Sequence, residues 1–257
     1  MVHFIDPLED GPSRAPRSAP IRRSRIGTRE VLSRGSLQAR PVVEPWVQVG
    51  EQQIFHLTHE GNLPSIVAEK QLFADTNPDW EERPAVDLSS AAVRLARRTR
   101  HTGHHGDSVV SDFVPFSLRP DSSQLRGLGP RADLVLLVSD IANVLEWQKT
   151  AHRAHVPKML FTDTDAGVPG AEFGRTRVEL ASLVRVLFGP ATSPARVAQS
   201  RAAEFLVHGF FPLRRVVSIG VASEEAATRV RRVLAARAAS TDVVVRPEWF
   251  HTATPER

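Results

Sequence analysis

Cysteine is absent from the 257 residues, which removes disulfides, zinc–thiolate centres and cysteine nucleophiles from consideration. No apolar run approaches the roughly 20 residues needed to span a bilayer. The opening "MVHFIDPLEDGPSRAP" lacks the basic-then-apolar order of a secretory signal. Together these lead us to expect a soluble cytoplasmic protein. No GxGxxG follows a strand-like run, no GxxxxGK precedes Ser or Thr, and no GxSxG occurs, which argues against a Rossmann dinucleotide site. Lysine is scarce beside arginine. The formal charge of +4 and a pI near 10.4 suit a polyanionic partner.

The remaining texture divides the chain. Residues 1–48 are a basic stretch rich in Arg, Pro and Ser. It has too little apolar surface to offset its ordering entropy, so we expect a disordered tail followed by one domain over 49–252. Within that domain "QQIFHLT", "SVVSDFVPFSL", "DLVLLVS", "KMLFTD", "RRVVSIGVA" and "DVVVRPEWF" read as strands, with Pro115 at an edge or bulge. "NLPSIVAEK", "SSAAVRLARRTR", "DIANVLEWQKTAH" and "SEEAATRVRRVLAARA" read as helices, with Asn62, Ser89 or Ser90, and Asp140 at their starts. Strands and helices do not alternate regularly, so the class is α+β.

Residues 201–213, "RAAEFLVHGFFPL", pose a question about Glu204, a carboxylate inside an apolar strand-like run. Strand alternation puts Glu204, Leu206 and His208 on one face, which is either solvated or the wall of a cleft. A metal site is the natural reading of "HLTHE", "HTGHH" and "TDTD". Yet His56 and His59, three apart on a strand, point to opposite faces, and "HTGHH" reads as a solvated turn, so no metal is expected. His56 and Thr58 do share a strand face, with Asn62 at the mouth of the next helix. That set suits ribose hydroxyls and a carboxamide.

"IFHLTHEGNLPSI", "SDFVPFSLRP", "KMLFTDTDA", "AAEFLVHGFFPL" and "RPEWF" occur in the order and spacing of the DarT family of bacterial DNA ADP-ribosyltransferase toxins, which this chain resembles over residues ~50–250. The resemblance implies an ADP-ribosyltransferase-like fold of two packed central β-sheets with flanking helices. It also implies NAD as co-substrate, single-stranded DNA as acceptor and a macrodomain antitoxin as partner. Glu204 would accept the 2′-hydroxyl of the nicotinamide ribose and stabilise the charge that develops there. His56 would bind a ribose hydroxyl of the adenosine half and the Leu57 backbone the carboxamide. Thr58, Asn62 and the retained Phe116 would complete the NAD site. The family also uses an arginine from the helix before the second strand. Arg97 matches best, with Arg94 and Arg98 as rivals, acting as a base or by stabilising a deprotonated nucleobase. The chain departs from the family at "SLRPDSSQLR", where Ser117 stands for an aromatic and no tyrosine exists in the protein. That departure keeps open a fold without turnover, or an RNA or protein acceptor.

If the tail adds only electrostatic attraction, a chain beginning at Val47 will keep its turnover on short oligonucleotides. Its affinity will fall less steeply with salt, since each phosphate neutralised adds to that slope. Loss of NAD hydrolysis on truncation would make the tail part of the fold.

Overall fold

The computed structural model describes residues 49–250 except 82, 152–157, 190–192, 238 and 240. The expected tail over 1–48 lies outside the described residues. The domain is α+β. Its strands are β1 (Gln53–His59), β2 (Gln71–Phe73), β3 (Phe113–Ser117), β4 (Leu134–Asp140), β5 (Met159–Thr162), β6 (Glu204–His208), β7 (Phe210–Pro212), β8 (Ser218–Val221) and β9 (Asp242–Val245). Its helices are α1 (Leu63–Glu69), α2 (Ala91–Thr99), α3 (Ser123–Leu128), α4 (Ile141–Thr150), α5 (Arg177–Phe188), α6 (Pro194–Ala202), α7 (Glu224–Ala236) and α8 (Pro247–Phe250).

A seven-stranded sheet runs β5-β6-β3-β1-β4-β8-β9, and β2 pairs with β7 in a two-stranded sheet. The two sheets are therefore very unequal. All pairs in the large sheet are antiparallel except β8–β9, which α7 joins as a parallel crossover. β1 pairs with β4 over seven register positions, but with β3 at one only, Phe55 opposite Ser117. The large sheet is thus two halves, β5-β6-β3 and β1-β4-β8-β9, joined at a single position.

The core follows that division. One continuous cluster takes Ile54, Val114, Val135, Leu137, Phe205 and Ile219 from the strands, with Leu63, Trp147, Val184 and Val230 from α1, α4, α5 and α7. Two smaller clusters are separate from it. Phe55, Leu134, Leu136 and Val138 belong to the β1–β4 half, and Phe113, Leu160 and Leu206 to the β3–β6 half. The continuous apolar run of β4 is explained by burial on both faces, as for a central strand.

Side-chain caps fix the helix starts. Asp140 accepts from the Asn143 N–H at 2.6 Å, and of the two candidate serines it is Ser90 that accepts from Val93. Three sequence expectations are corrected. The second strand begins only at Phe113, because 110–112 form a 3-10 turn. "PEWF" is a helical turn with Pro247 first, where its missing N–H costs nothing, so the last strand stops at Val245. Pro115 is at neither an edge nor a bulge, because β3 is flanked by β6 and β1. The proline is accommodated because the ladder to β1 has already stopped there.

Leu137 is wholly buried at the centre of β4. Leu137→Ala should cost about 2–5 kcal/mol in denaturant unfolding. A loss under about 0.5 kcal/mol would place the folding core elsewhere.

Candidate active site

The break between β1 and β3 exposes backbone groups that a continuous sheet would consume. The Phe55 carbonyl lies 3.2 Å from the Ser117 hydroxyl, so the odd-numbered residues of β1 turn their peptide groups toward β3. Even-numbered neighbours turn the other way, since Glu60 N–H donates to Asp133 and Gln52 accepts from Ile141 on the β4 side. Leu57 therefore presents its N–H and C=O to the gap, two residues past the last β1–β3 pair. Pro115 has no N–H to lose, and its carbonyl accepts a 2.9 Å bond from Nδ1 of His56. Burial lowers the His56 pKa to about 4, against the opposing pull of that carbonyl. The imidazole is thus neutral, with Nδ1 as donor and Nε2 left as an acceptor.

A cavity of about 420 Å³ opens at the break, lined by His56, Leu57, Thr58, Asn62, Phe116, Arg97 and Glu204 among others. The structure thus gathers Glu204, Arg97, His56, Leu57, Thr58, Asn62 and Phe116 into the lining of one cavity. Phe116 contributes little surface. It is 1% exposed and packs against the rings of His56 and Phe211, so it supports His56 from behind. Asn62 is fully engaged within the protein. Its amide nitrogen donates to Thr58 Oγ1 at 3.1 Å and to the Val86 carbonyl at 2.7 Å, while its oxygen accepts from the Val86 N–H at 2.8 Å. It ties the loop around Val86 to β1 and caps no helix with its side chain.

The face carrying Glu204 is not solvated. Leu206 on that face is fully buried, and the two alanines before Glu204 belong to the end of α6 and a link, not to the strand. Arg97 grips the carboxylate with three contacts, Nη1 at 3.0 and 3.1 Å and Nη2 at 3.1 Å. The two side chains are only 15% and 17% exposed. Arg94 instead meets Asp87 and the Ser89 carbonyl, and Arg98 meets Asp75 at 2.7 Å, so Arg97 alone of the three rivals reaches Glu204. Asp165 was noted in the sequence only for a metal, yet it lies 3.5 Å from Arg97 with its Oδ1 accepting from Gly167 N–H. No periodicity could have found it, because it lies on a loop 68 residues away from Arg97.

Burial pushes the Glu204 carboxyl above its ordinary range, and Arg97 draws it only partly back. Burial alone would lower the Arg97 pKa, but Glu204 and then Asp165 outweigh it, and the net direction is up. Arg97 is therefore held firmly charged. Among the described residues no three His, Asp or Glu side chains converge to hold a metal. His59 is taken up by Asp133 and the Gly61 N–H, and His104 by the Phe173 carbonyl. No described helix is long and apolar enough to cross a membrane.

The family model described as ssDNA thymidine ADP-ribosyltransferase, DarT, matches residues 55–251. A DNA ADP-ribosyl transferase of Mycobacterium tuberculosis is 26% identical over 220 residues, covering 77% of this chain and 88% of its own. The fold is similar to that of the Thermus sp. 2.9 DarT in complex with ADP-ribosylated ssDNA, with TM-score 0.66, 24% identity, and coverage of 78% of this chain and 96% of that one. It is also similar to the same protein in complex with NAD+, with TM-score 0.61, 24% identity, and coverage of 78% and 98%.

The ion pair sets a titration test. The carboxyl of Glu204, followed by carbon NMR, should titrate above the usual glutamate range. Arg97→Gln removes the group that pulls it down, so the pKa should rise further and the carboxylate be lost at a higher pH. A Glu204 titration indifferent to Arg97→Gln would show that the pair is not coupled in solution.

Proposed function

The chain belongs to the DarT family, and on that premise we propose that it transfers ADP-ribose from NAD to a nucleobase of single-stranded DNA, releasing nicotinamide. The observation that carries this reading is the nearly buried Glu204 carboxylate, clamped by Arg97 in a cavity that the neutral His56 also lines. The ligands of the Thermus sp. 2.9 complexes support NAD and single-stranded DNA as the pair brought together. An unstacked strand is the expected acceptor, because chemistry on a base edge needs the base out of its stack.

The donor set fits NAD. His56 Nε2 accepts from a ribose hydroxyl of the adenosine half, and the peptide groups of Leu57, turned to the gap, take up both ends of the carboxamide. Thr58 lines the same wall, and Asn62 acts as a bracket that holds the wall in place. Glu204 accepts the 2′-hydroxyl and stabilises the positive charge that grows on the ribose as its bond to nicotinamide breaks. Nicotinamide leaves with the bonding electrons, a nucleobase atom forms the new bond to the same carbon, and the proton that atom loses passes to water. Arg97 has two tasks in this scheme. It fixes the Glu204 rotamer beforehand, so that no reorganisation is needed during reaction. It also offers a permanent positive charge to a base losing its proton, and its raised pKa makes it a stabiliser of that charge and not the proton acceptor. A macrodomain antitoxin that removes the modification is the partner implied by family membership. A fold that has lost turnover is the lesser reading, since the Glu204–Arg97 pair is intact in the cavity.

Glu204→Ala should slow transfer by about two to three orders of magnitude if the carboxylate supplies about 3–4 kcal/mol, while NAD binding by calorimetry stays nearly unchanged. Glu204→Gln keeps the shape and should also be severely impaired. Both remove the nearer counter-charge of Arg97 and leave it only Asp165 at 3.5 Å, so a lowered melting temperature is expected, and the assay is read on folded protein. Mass spectrometry of an oligonucleotide incubated with NAD gives the readout. Transfer at the parent rate by Glu204→Ala would sink the assignment.

A further inference from the structure

The stretch that departs from the family, "SLRPDSSQL", builds something of its own with the arginine that opens "RAAEFLV". Asp121 is shared by two arginines. Arg119 Nε donates to its Oδ1 at 2.8 Å and Arg201 Nε to its Oδ2 at 2.7 Å. The three side chains are 28%, 26% and 21% exposed for Arg119, Arg201 and Asp121. The Ser117 hydroxyl, 2.9 Å from the Arg119 carbonyl, holds the turn that brings them together.

The bonding mode differs from that of Arg97. There the terminal nitrogens are spent on the carboxylate. Here each arginine is fastened by Nε, and no hydrogen bond among the described residues occupies the terminal nitrogens of either. A mere staple between the β3–α3 turn and α6 would be complete with the forks engaged. Two guanidiniums on one carboxylate also leave a net charge of +1 in a partly desolvated place. Arg201 lines the cavity three residues ahead of Glu204, and Ser123 and Gln124 line it too. Planar, pre-oriented N–H forks at a positive, partly buried site match the oxygens of a phosphate.

We infer that Arg201, which lines the cavity and is aimed by Asp121, is a phosphate-binding subsite, with Arg119 bonded to the other oxygen of Asp121. The inference rests on the proposed function for the source of the phosphate, which is either the diphosphate of NAD or the backbone of the acceptor strand. Asp121 is a positioning residue.

The test is calorimetric titration of the full chain with pyrophosphate, NAD and a short oligothymidylate. Arg201→Ala should weaken pyrophosphate about tenfold. A like loss for NAD alone identifies the cofactor's diphosphate. A loss for the oligonucleotide alone, with its log-affinity against log-salt slope shallower by about 1, identifies the strand. Asp121→Asn raises the positive charge, so charge alone predicts tighter binding, whereas release of the forks predicts weaker binding. Weaker binding supports the positioning role and tighter binding overturns it. If Arg201→Ala does not fold, Arg201→Lys keeps the charge, loses the fork and is read the same way. Arg201-dependent pyrophosphate binding in a chain that binds neither NAD nor DNA would support the subsite and defeat the ADP-ribosyl reading. Folded Arg201 variants that bind all three ligands as the parent does would overturn the subsite.

Discussion

Between β1 and β3 the ladder lasts for one pair, Phe55 opposite Ser117, and then stops. A buried peptide group without a partner costs about 1–3 kcal/mol, so the stop must be accommodated group by group. Pro115 brings no N–H, His56 takes the Pro115 carbonyl, and the Leu57 peptide groups face the gap. The two half-sheets then carry their own apolar clusters on one side while sharing a continuous core on the other. The cavity, the neutral imidazole and the placing of Glu204 one strand away all follow from that interruption.

Charge does the work that packing does elsewhere. Helix α2 buries none of its residues, and Val93 and Leu95 on it are 42% and 64% exposed. It is fastened by Arg94 to Asp87, Arg97 to Glu204 and Arg98 to Asp75. Such contacts are worth little where exposed. The Arg97–Glu204 pair is the exception, since its members are nearly out of water; removing Arg97 strands the Glu204 carboxylate, and removing Glu204 leaves Arg97 only Asp165 at 3.5 Å. The same contact closes one side of the cavity and sets the ionisation of the candidate carboxylate. Arg201 and Arg119 share Asp121 through their Nε atoms, which leaves their terminal nitrogens as unspent donors among the described residues.

Much of this was legible beforehand. Period-two alternation placed His56 with Thr58, the unbroken apolar run marked β4 as central, and Asp140 announced its helix. The order of five short motifs pointed to the family, whose model matches residues 55–251. Pro115 was misjudged because a proline inside a sheet signals an interrupted ladder, and a terminated strand edge is only one way to have that. Asn62 was legible as a member of the wall but not as its bracket, because its partner Val86 lies 24 residues away in a loop without pattern.

Strand and helix identity and the inventory of chemistry-bearing side chains follow from neighbours within a turn or a pleat, so they can be read along the chain. That Glu204 is nearly buried, that Arg97 and not Arg94 or Arg98 meets it, and that Asp165 and Asp121 join the arginines are contacts across 107, 68 and 80 residues. Periodicity is silent at that range. Those pairings exist only once the half-sheets part and the loops fold over the gap, where low solvent access turns weak charge contacts into constraints on geometry and proton affinity.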